Sequence, residues 1–319
     1  MKLLRRVIDP LWQASPSLTA VGIGMAAVLV LSLAGLVLDP RIVTGAPVWL
    51  KPAKFAVSTG IYALSVAWIF TYLEAWPRLR RIVGRTTALV LALEVALIDL
   101  QAARGVTSHF NVATPTDAAI FALMGIAILV AWGVSIALTV ALFRQRFQDG
   151  ALGWALRIGM LTVVLGSATG GLMTRPTPAQ LASARESHQM TVAGAHTVGA
   201  PDGTPGIPGT GWSREHGDLR VPHFVGLHAL QILPLIAFAL QRAKSAATRQ
   251  RAVQVAGASY LSLFGILLAQ ALSGQPVLAP EGAIATALIV WVGATIALMS
   301  HSLLSGRRAM RTHAMKAVV

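Results

Sequence analysis

The chain has 319 residues, 55% of them hydrophobic and only 12% charged, with a net charge of +14 and no cysteine. A soluble domain carries roughly twice that charged fraction, so a soluble globular fold is excluded. The missing cysteine excludes disulfides, thiolate metal sites, iron–sulfur ligation and thiol nucleophiles.

The mean hydropathy is +0.66, and several apolar runs reach about 20 residues, enough to cross a hydrocarbon core of roughly 30 Å. The prediction is an all-α, polytopic membrane helical bundle. MKLLRR precedes the first predicted span, 18–38. That apolar run is long and lacks an A-x-A site, so it reads as a retained helix and not a cleaved signal. The second span, 50–73, opens with WLKPAKF, where Trp49 marks an interface and Pro52 suits a first helical turn. The third is expected at 86–106, the fourth at 118–143 and the fifth at 151–173. Residues 174–220 are rich in Gly, Pro, Ser and Thr and carry Trp212, His188, His196 and His216. This segment is expected to be a long, flexible extracytoplasmic loop. The sixth span, 222–241, contains HFVGLHALQILP, and the seventh and eighth follow at 252–273 and 282–303. Together they make one transmembrane domain over 1–319.

The basic residues fall on alternate connections. Lys2, Arg5 and Arg6 precede the first span, and Arg78, Arg80, Arg81 and Arg85 lie between the second and third. Arg144 and Arg146 follow the fourth. Arg242, Lys244, Arg249 and Arg251 follow the sixth, and Arg307, Arg308, Arg311 and Lys316 the eighth. This positive-inside pattern predicts both termini on the cytoplasmic side of a bacterial inner membrane. The net charge is then a topology signal, with the bilayer and not nucleic acid as partner.

Ionisable groups inside spans are costly, roughly 2.5–3.5 kcal/mol for Asp, Lys or Arg at mid-helix. The third span carries Glu94, Asp99 and Gln101. Glu94 lies roughly 15 Å below Arg104, and Gln101, seven residues on, shares its face. Lys54 falls at the depth of Asp99, and a structural Lys54–Asp99 ion pair is expected because buried charges tend to pair. Lys51 is expected to snorkel to the headgroups. In the sixth span His223 falls at the interface, with His228 roughly 9 Å and Gln231 roughly 14 Å below its start. His228 and Gln231 share a face, Pro234 follows them, and Gln270 lies near the outer end of the seventh span. The polar groups thus gather in the outer half, which predicts an outward-facing cavity.

The expected function is an intramembrane enzyme or redox protein acting on a lipid-soluble or extracytoplasmic substrate. Glu94 would carry protons, and Gln101 and Gln231 would orient the substrate. His109, His223 and His228 are the candidate ligands for zinc or iron, although H-x4-H is not the i, i+4 spacing of a helical zinc pair. His109 and His228 are alternatively the axial ligands of a non-covalent haem b, since no cysteine allows covalent attachment. The bland reading is that these histidines serve helix–helix hydrogen bonds. The rival functions are a proton- or ion-coupled transporter using Glu94, or a membrane sensor using the 174–220 loop.

KPAKFAVSTGIYALSVAW, QAARGVTSHFN, MGIAIL and GDLRVPHFVGLHALQILP resemble segments of an uncharacterised family of bacterial multi-pass membrane proteins. The resemblance runs from the second to the sixth span, with SHFN and HFVGLHALQ its most specific parts. It implies origin and topology but no activity. Ser108, His109, Asp117, His223 and His228 also offer the residue types of ceramidase-like zinc hydrolases, a chemical analogy that departs from that group in histidine spacing and helix number.

Overall fold

In the computed structural model of the chain the described residues are 2–241 and 245–316. Of residues 2–5, 7 and 305–316 only the backbone is described. Arg242 and Lys244 lie outside the described residues. The side chains of Lys2, Arg5, Arg307, Arg308, Arg311 and Lys316 lie outside them too.

In chain order the helices are α1 (Lys2–Ala14), α2 (Pro16–Leu38), α3 (Leu50–Phe70), α4 (Pro77–Arg104), α5 (Pro115–Arg144), α6 (Gly150–Met173), α7 (Pro178–Ser187), α8 (Arg220–Ala239), α9 (Ala246–Leu272) and α10 (Gly282–Lys316). Among the described residues only two-residue strands accompany them: β1 (Ile42–Val43), β2 (Ala46–Pro47), β3 (Thr197–Val198) and β4 (Gly217–Asp218). Eight of the described helices are long and apolar enough to cross a membrane.

Proline and small polar residues set the helix starts. Pro16, Pro77 and Pro178 occupy the first turns of α2, α4 and α7, where the missing N–H would have no helical partner in any case. Thr177 and Gln180 close a capping box on α7, and the Ser245 side chain accepts from Thr248 N at the head of α9. The helix α4 begins at Pro77, whereas hydropathy places the third span near residue 86. Arginine is a good helix former, so the basic stretch Arg78–Arg85 continues the helix beyond its apolar segment. The same reason carries α9 back to Ala246 through Arg249 and Arg251. Hydropathy also passes over α1 and α7.

The chain divides into two compact units, one of Met1–Leu138 with Gly171–Ser213, the other of Thr139–Gly170 with Arg214–Val319. In the first unit α2 packs on α3 and α4, and α1 on α2 and α3. Leu18, Ile69, Phe70, Leu73 and Ile98 are fully buried there. The turn between α2 and α3 is a β1–β2 hairpin pairing Ile42 with Pro47 and Val43 with Ala46. In the second unit α8 packs on α9, and α9 on α10, around a core that includes Ala155, Leu233, Ala237 and Val253. The helix α8 continues through Pro234.

Candidate functional site

The first unit joins an acid, an imidazole and an amine in one chain. Glu94 sits in the fifth turn of α4, 4% exposed. Its Oε1 lies 3.3 Å from His109 Nε2. On the other side of the ring, His109 Nδ1 lies 3.0 Å from Lys51 Nζ and 3.1 Å from Ser108 Oγ. An ammonium only donates, so Lys51 makes Nδ1 an acceptor and leaves the ring proton on Nε2, the atom that faces Glu94. Phe55 and Phe110 flank the imidazole at centroid distances of 6.0 and 6.2 Å, and Lys51 Nζ lies 5.7 Å from the Phe55 centroid. Glu94 Oε2 is buried and has no hydrogen-bond partner among the described residues. Such an orphan atom costs roughly 1–3 kcal/mol.

His109 reaches this position because the end of α4 is fastened on three sides. Gly105 adopts a left-handed conformation (φ 73°) and its N–H returns to Ala102 O, while Val106 N bonds to Gln101 O. Arg41, from the hairpin turn, donates to the carbonyls of Ala102 and Ala103. Asp39 grips the same guanidinium at 2.6 Å and accepts from Trp49 Nε1 at 2.8 Å. The Arg41 hydrogen bonds, and after them the Trp49 bond, hold the Asp39 carboxyl well below the usual carboxylate range. Third, Asp117 at the start of α5 accepts from Gln101 Nε2 (3.0 Å), Arg104 Nη1 (2.7 Å) and Thr114 Oγ1 (2.7 Å). Arg104 also donates to Gln101 Oε1.

The connection after α6 folds back onto the SHFN segment. Ala193 N donates to Phe110 O (2.8 Å) and Val112 N to Thr191 O (3.0 Å). Gln180 makes paired bonds with the backbone of Gly194. His196 packs against the Phe110 ring at 4.8 Å and bonds to Asp202 at 2.6 Å. Burial works to raise the Asp202 carboxyl, but the hydrogen bonds from the His196 side chain and from the backbone N–H groups of His196 and Thr197 outweigh it and hold it far below its ordinary value.

Several expectations are corrected by this geometry. The expected flexible loop has, over residues 174–213, a capped helix and a hydrogen-bonded return. Its Gly and Pro residues serve turns, with Gly194, Gly199, Gly203, Gly209 and Gly211 at positive φ. Lys54 does not pair with Asp99. Its Nζ reaches up to the Thr210 carbonyl at 3.0 Å, while Asp99 Oδ1 has no hydrogen-bond partner among the described residues. Equal depth placed them together on paper, but the lysine stem extends away from Asp99 toward the loop. Lys51 bonds to His109 and does more than snorkel. Gln101 is fully buried and committed to Asp117 and Arg104, so it orders the end of α4 and does not face a substrate.

In the second unit, His223 Nδ1 lies 2.8 Å from the Gly166 carbonyl and 3.2 Å from Thr169 Oγ1, which pins α8 to α6. His228 packs on Phe224 in a tilted arrangement, ring centroids 4.2 Å apart, on the same face of α8 as Gln231. Gln270 Nε2 donates to Pro276 O at 2.7 Å. Tyr260 Oη donates to Val225 O at 2.7 Å.

These donors do not form a metal centre. No group of three or more His, Asp or Glu able to hold a metal ion occurs among the described residues. Both nitrogens of His109 face protein partners, one of them the Lys51 ammonium, whose charge opposes a cation at that point. His223 spends Nδ1 on a carbonyl. For haem b, His109 presents the same difficulty, so the expected His109–His228 axial pair is not provided. Neither zinc, iron nor haem fits the expected ligands as they are arranged.

Sequence reasoning missed Lys51 as a member of the site, together with Arg41 and Asp39, although it named Ser108 beside His109. The signal for Lys51 was available: a lysine in the first turn of an apolar helix, at the level of His109, is a candidate imidazole partner as much as a headgroup ligand. No family model matches the chain, nor does any curated protein or solved structure, so the resemblance of the SHFN and HFVGLHALQ segments rests on those segments alone.

Proposed function

We propose that the chain spans a bacterial cytoplasmic membrane eight times with both termini inside, and that Glu94, His109 and Lys51 form the acid–base centre of an intramembrane enzyme. Its substrate is a lipid-soluble or extracytoplasmic molecule that enters from the outer side and reaches Glu94, roughly 15 Å below the outer end of α4. The alternation of basic connections supports the topology, and the eight apolar helices support the membrane.

The observation that carries the reading is the chain Lys51 Nζ–His109–Glu94, with contacts of 3.0 and 3.3 Å and a bare carboxylate oxygen at its end. Lys51 fixes the tautomer of His109. The Nε2–H of His109 faces Glu94 Oε1, which leaves Oε2 to take a proton from a substrate X–H group. The Lys51 charge offsets the carboxylate, so the centre is neutral overall with the proton absent from Glu94. Intramembrane acids typically mark this kind of proton chemistry. The reading includes no step through a metal or haem.

The test is pH-difference infrared spectroscopy of the purified chain in lipid vesicles. A carboxylic-acid C=O band should appear as pH is changed, vanish in Glu94→Gln and move in His109→Gln. A difference spectrum identical in wild type and Glu94→Gln would sink the reading.

A further inference from the structure

The helix α4 has one exposed face along its length, basic at its start, apolar through its middle and basic again at Arg104. Its exposed positions run Pro77, Arg78, Arg81, Ile82 and Arg85 at the start, then Leu89, Ala92, Ala96 and Leu100, and at the end Ala103 and Arg104, which is paired with Asp117. Steps of three or four residues keep them on one stripe. The three arginines at the start, Arg78, Arg81 and Arg85, span eight residues, a rise of roughly 10 Å. None of them makes a hydrogen bond or ion pair among the described residues. Arg80, by contrast, points off the stripe and donates to Ala14 O at 2.9 Å, tying α4 to the α1–α2 turn. Gly84 packs against the same turn, with room for no β-carbon between it and Ser15 Oγ. The arginine stripe is therefore mounted on a fixed support. The nearby exposed acids, Asp9 on α1 and Glu74 in the α3–α4 turn, pair with none of the three.

We propose that this stripe is a binding site for an anionic phospholipid of the cytoplasmic leaflet, with Arg78, Arg81 and Arg85 on the phosphate and the acyl chains along Leu89, Ala92 and Ala96, within roughly 17 Å of Arg85. The argument is complementarity along one helix face. Guanidinium is the preferred partner of phosphate oxygens, and polybasic ends of spanning helices attract anionic lipid. Leu89, at 70% exposure, with Ala92 and Ala96 continues the charged stripe as an apolar one. A soluble anion would use the arginines and leave the apolar continuation idle; an amphiphile uses both. The inference rests on the proposed topology.

The experiment titrates the full chain, purified in a non-ionic detergent, with phosphatidylglycerol, with phosphatidylcholine of the same acyl chains, and with glycerol 3-phosphate. Binding is read by native mass spectrometry. Phosphatidylglycerol should bind more tightly than phosphatidylcholine, and R78Q/R81Q/R85Q should weaken it about a hundredfold, at roughly fivefold per arginine. R144Q/R146Q should leave it unchanged, and the single variant R81Q, with a smaller risk to folding, should show its own share of the loss. Unchanged phosphatidylglycerol affinity in the folded triple variant would overturn the site. Equal affinity for glycerol 3-phosphate would overturn the lipid as its ligand. Because the chain has no cysteine, Glu74→Cys labelled in intact cells with an impermeant thiol reagent tests the topology separately. Labelling from outside would overturn the topology, while the detergent titration would still judge the lipid site.

Discussion

The helices α6 and α8 cross at two glycines, and substituting one of them gives the sharpest stability test. A β-carbon on Gly226 would lie 2.5 Å from Gly166 Cα and 3.2 Å from Gly166 N. Both obstacles are backbone, so only separation of the helices relieves the overlap. The same crossing holds the bond of His223 Nδ1 to the Gly166 carbonyl, 2.8 Å long. For Gly226→Ala, helix propensity contributes a gain of up to about 1 kcal/mol. Overpacking removes roughly 1–3 kcal/mol, and stretching the histidine bond about 0.5–1.5 kcal/mol more. The net is a loss of roughly 0.5–4.5 kcal/mol. Two controls fix the cause. Gly257→Ala would meet side chain and no backbone, Ile158 Cδ1 at 2.5 Å, Cγ2 at 3.1 Å and Cβ at 3.3 Å, and should lose less than Gly226→Ala. Gly265 has nothing within 4 Å, so its alanine variant should be stabilised by up to about 1 kcal/mol. Chemical unfolding of the three variants in detergent measures the order. Gly226→Ala as stable as Gly265→Ala would refute the backbone-contact reasoning.

Other expectations concern the first unit. The Asp202 carboxyl is held far below its ordinary value, so its contribution to the loop is complete above the unfolded carboxylate range, near pH 4. It is lost only as pH falls through the lower, folded value. Amide exchange over residues 193–202, corrected for intrinsic rates, should show protection unchanged from about pH 7 to 5 and falling below about 4, with Asp202→Asn unprotected throughout. Gly105→Ala places a side chain at φ 73° and 2.7 Å from Arg41 Nη1. It should destabilise by about 1–2 kcal/mol, read as a lower unfolding midpoint. In nitrogen-15 NMR of the histidine ring, His109 should appear as the Nε2–H tautomer, and Lys51→Ala should shift it toward a mixture; an unchanged signal would remove Lys51 from the centre.

Much of the helical architecture was legible in hydropathy, because a span must satisfy its backbone internally and present apolar side chains over about 20 residues. The ends were less legible where the helix outlasts the apolar segment, as at Pro77–Arg85, since arginine suits a helix as well as a loop. Glu94 could be found as an acid in an apolar run and His109 as an isolated imidazole beside it. Their meeting could not be found, because it depends on the left-handed Gly105 that ends α4 and on a loop return that sequence depicts as flexible. Lys54 and Asp99 mark the same limit. Depth along a helix follows from counting residues, but the direction of a long side chain follows from its neighbours.

Glu94 and Asp99 also separate two things that sequence alone treats alike. Both are acids on α4, and five residues place them about 140° apart around the axis. Both keep a buried oxygen without a partner among the described residues. Only Glu94 has a basic chain behind it, running through His109 to Lys51. A carboxylate alone in an apolar helix can hold a proton, but it has no neighbour to pass it to. One joined to an imidazole of fixed tautomer has a neighbour, with one oxygen held and the other open. The two acids therefore predict different spectra. Asp99→Asn should leave the His109-sensitive carboxyl band in place and Glu94→Gln should abolish it. If Asp99→Asn removes that band, the proton chemistry belongs to the other face of α4, and the Lys51–His109–Glu94 chain is a structural tie.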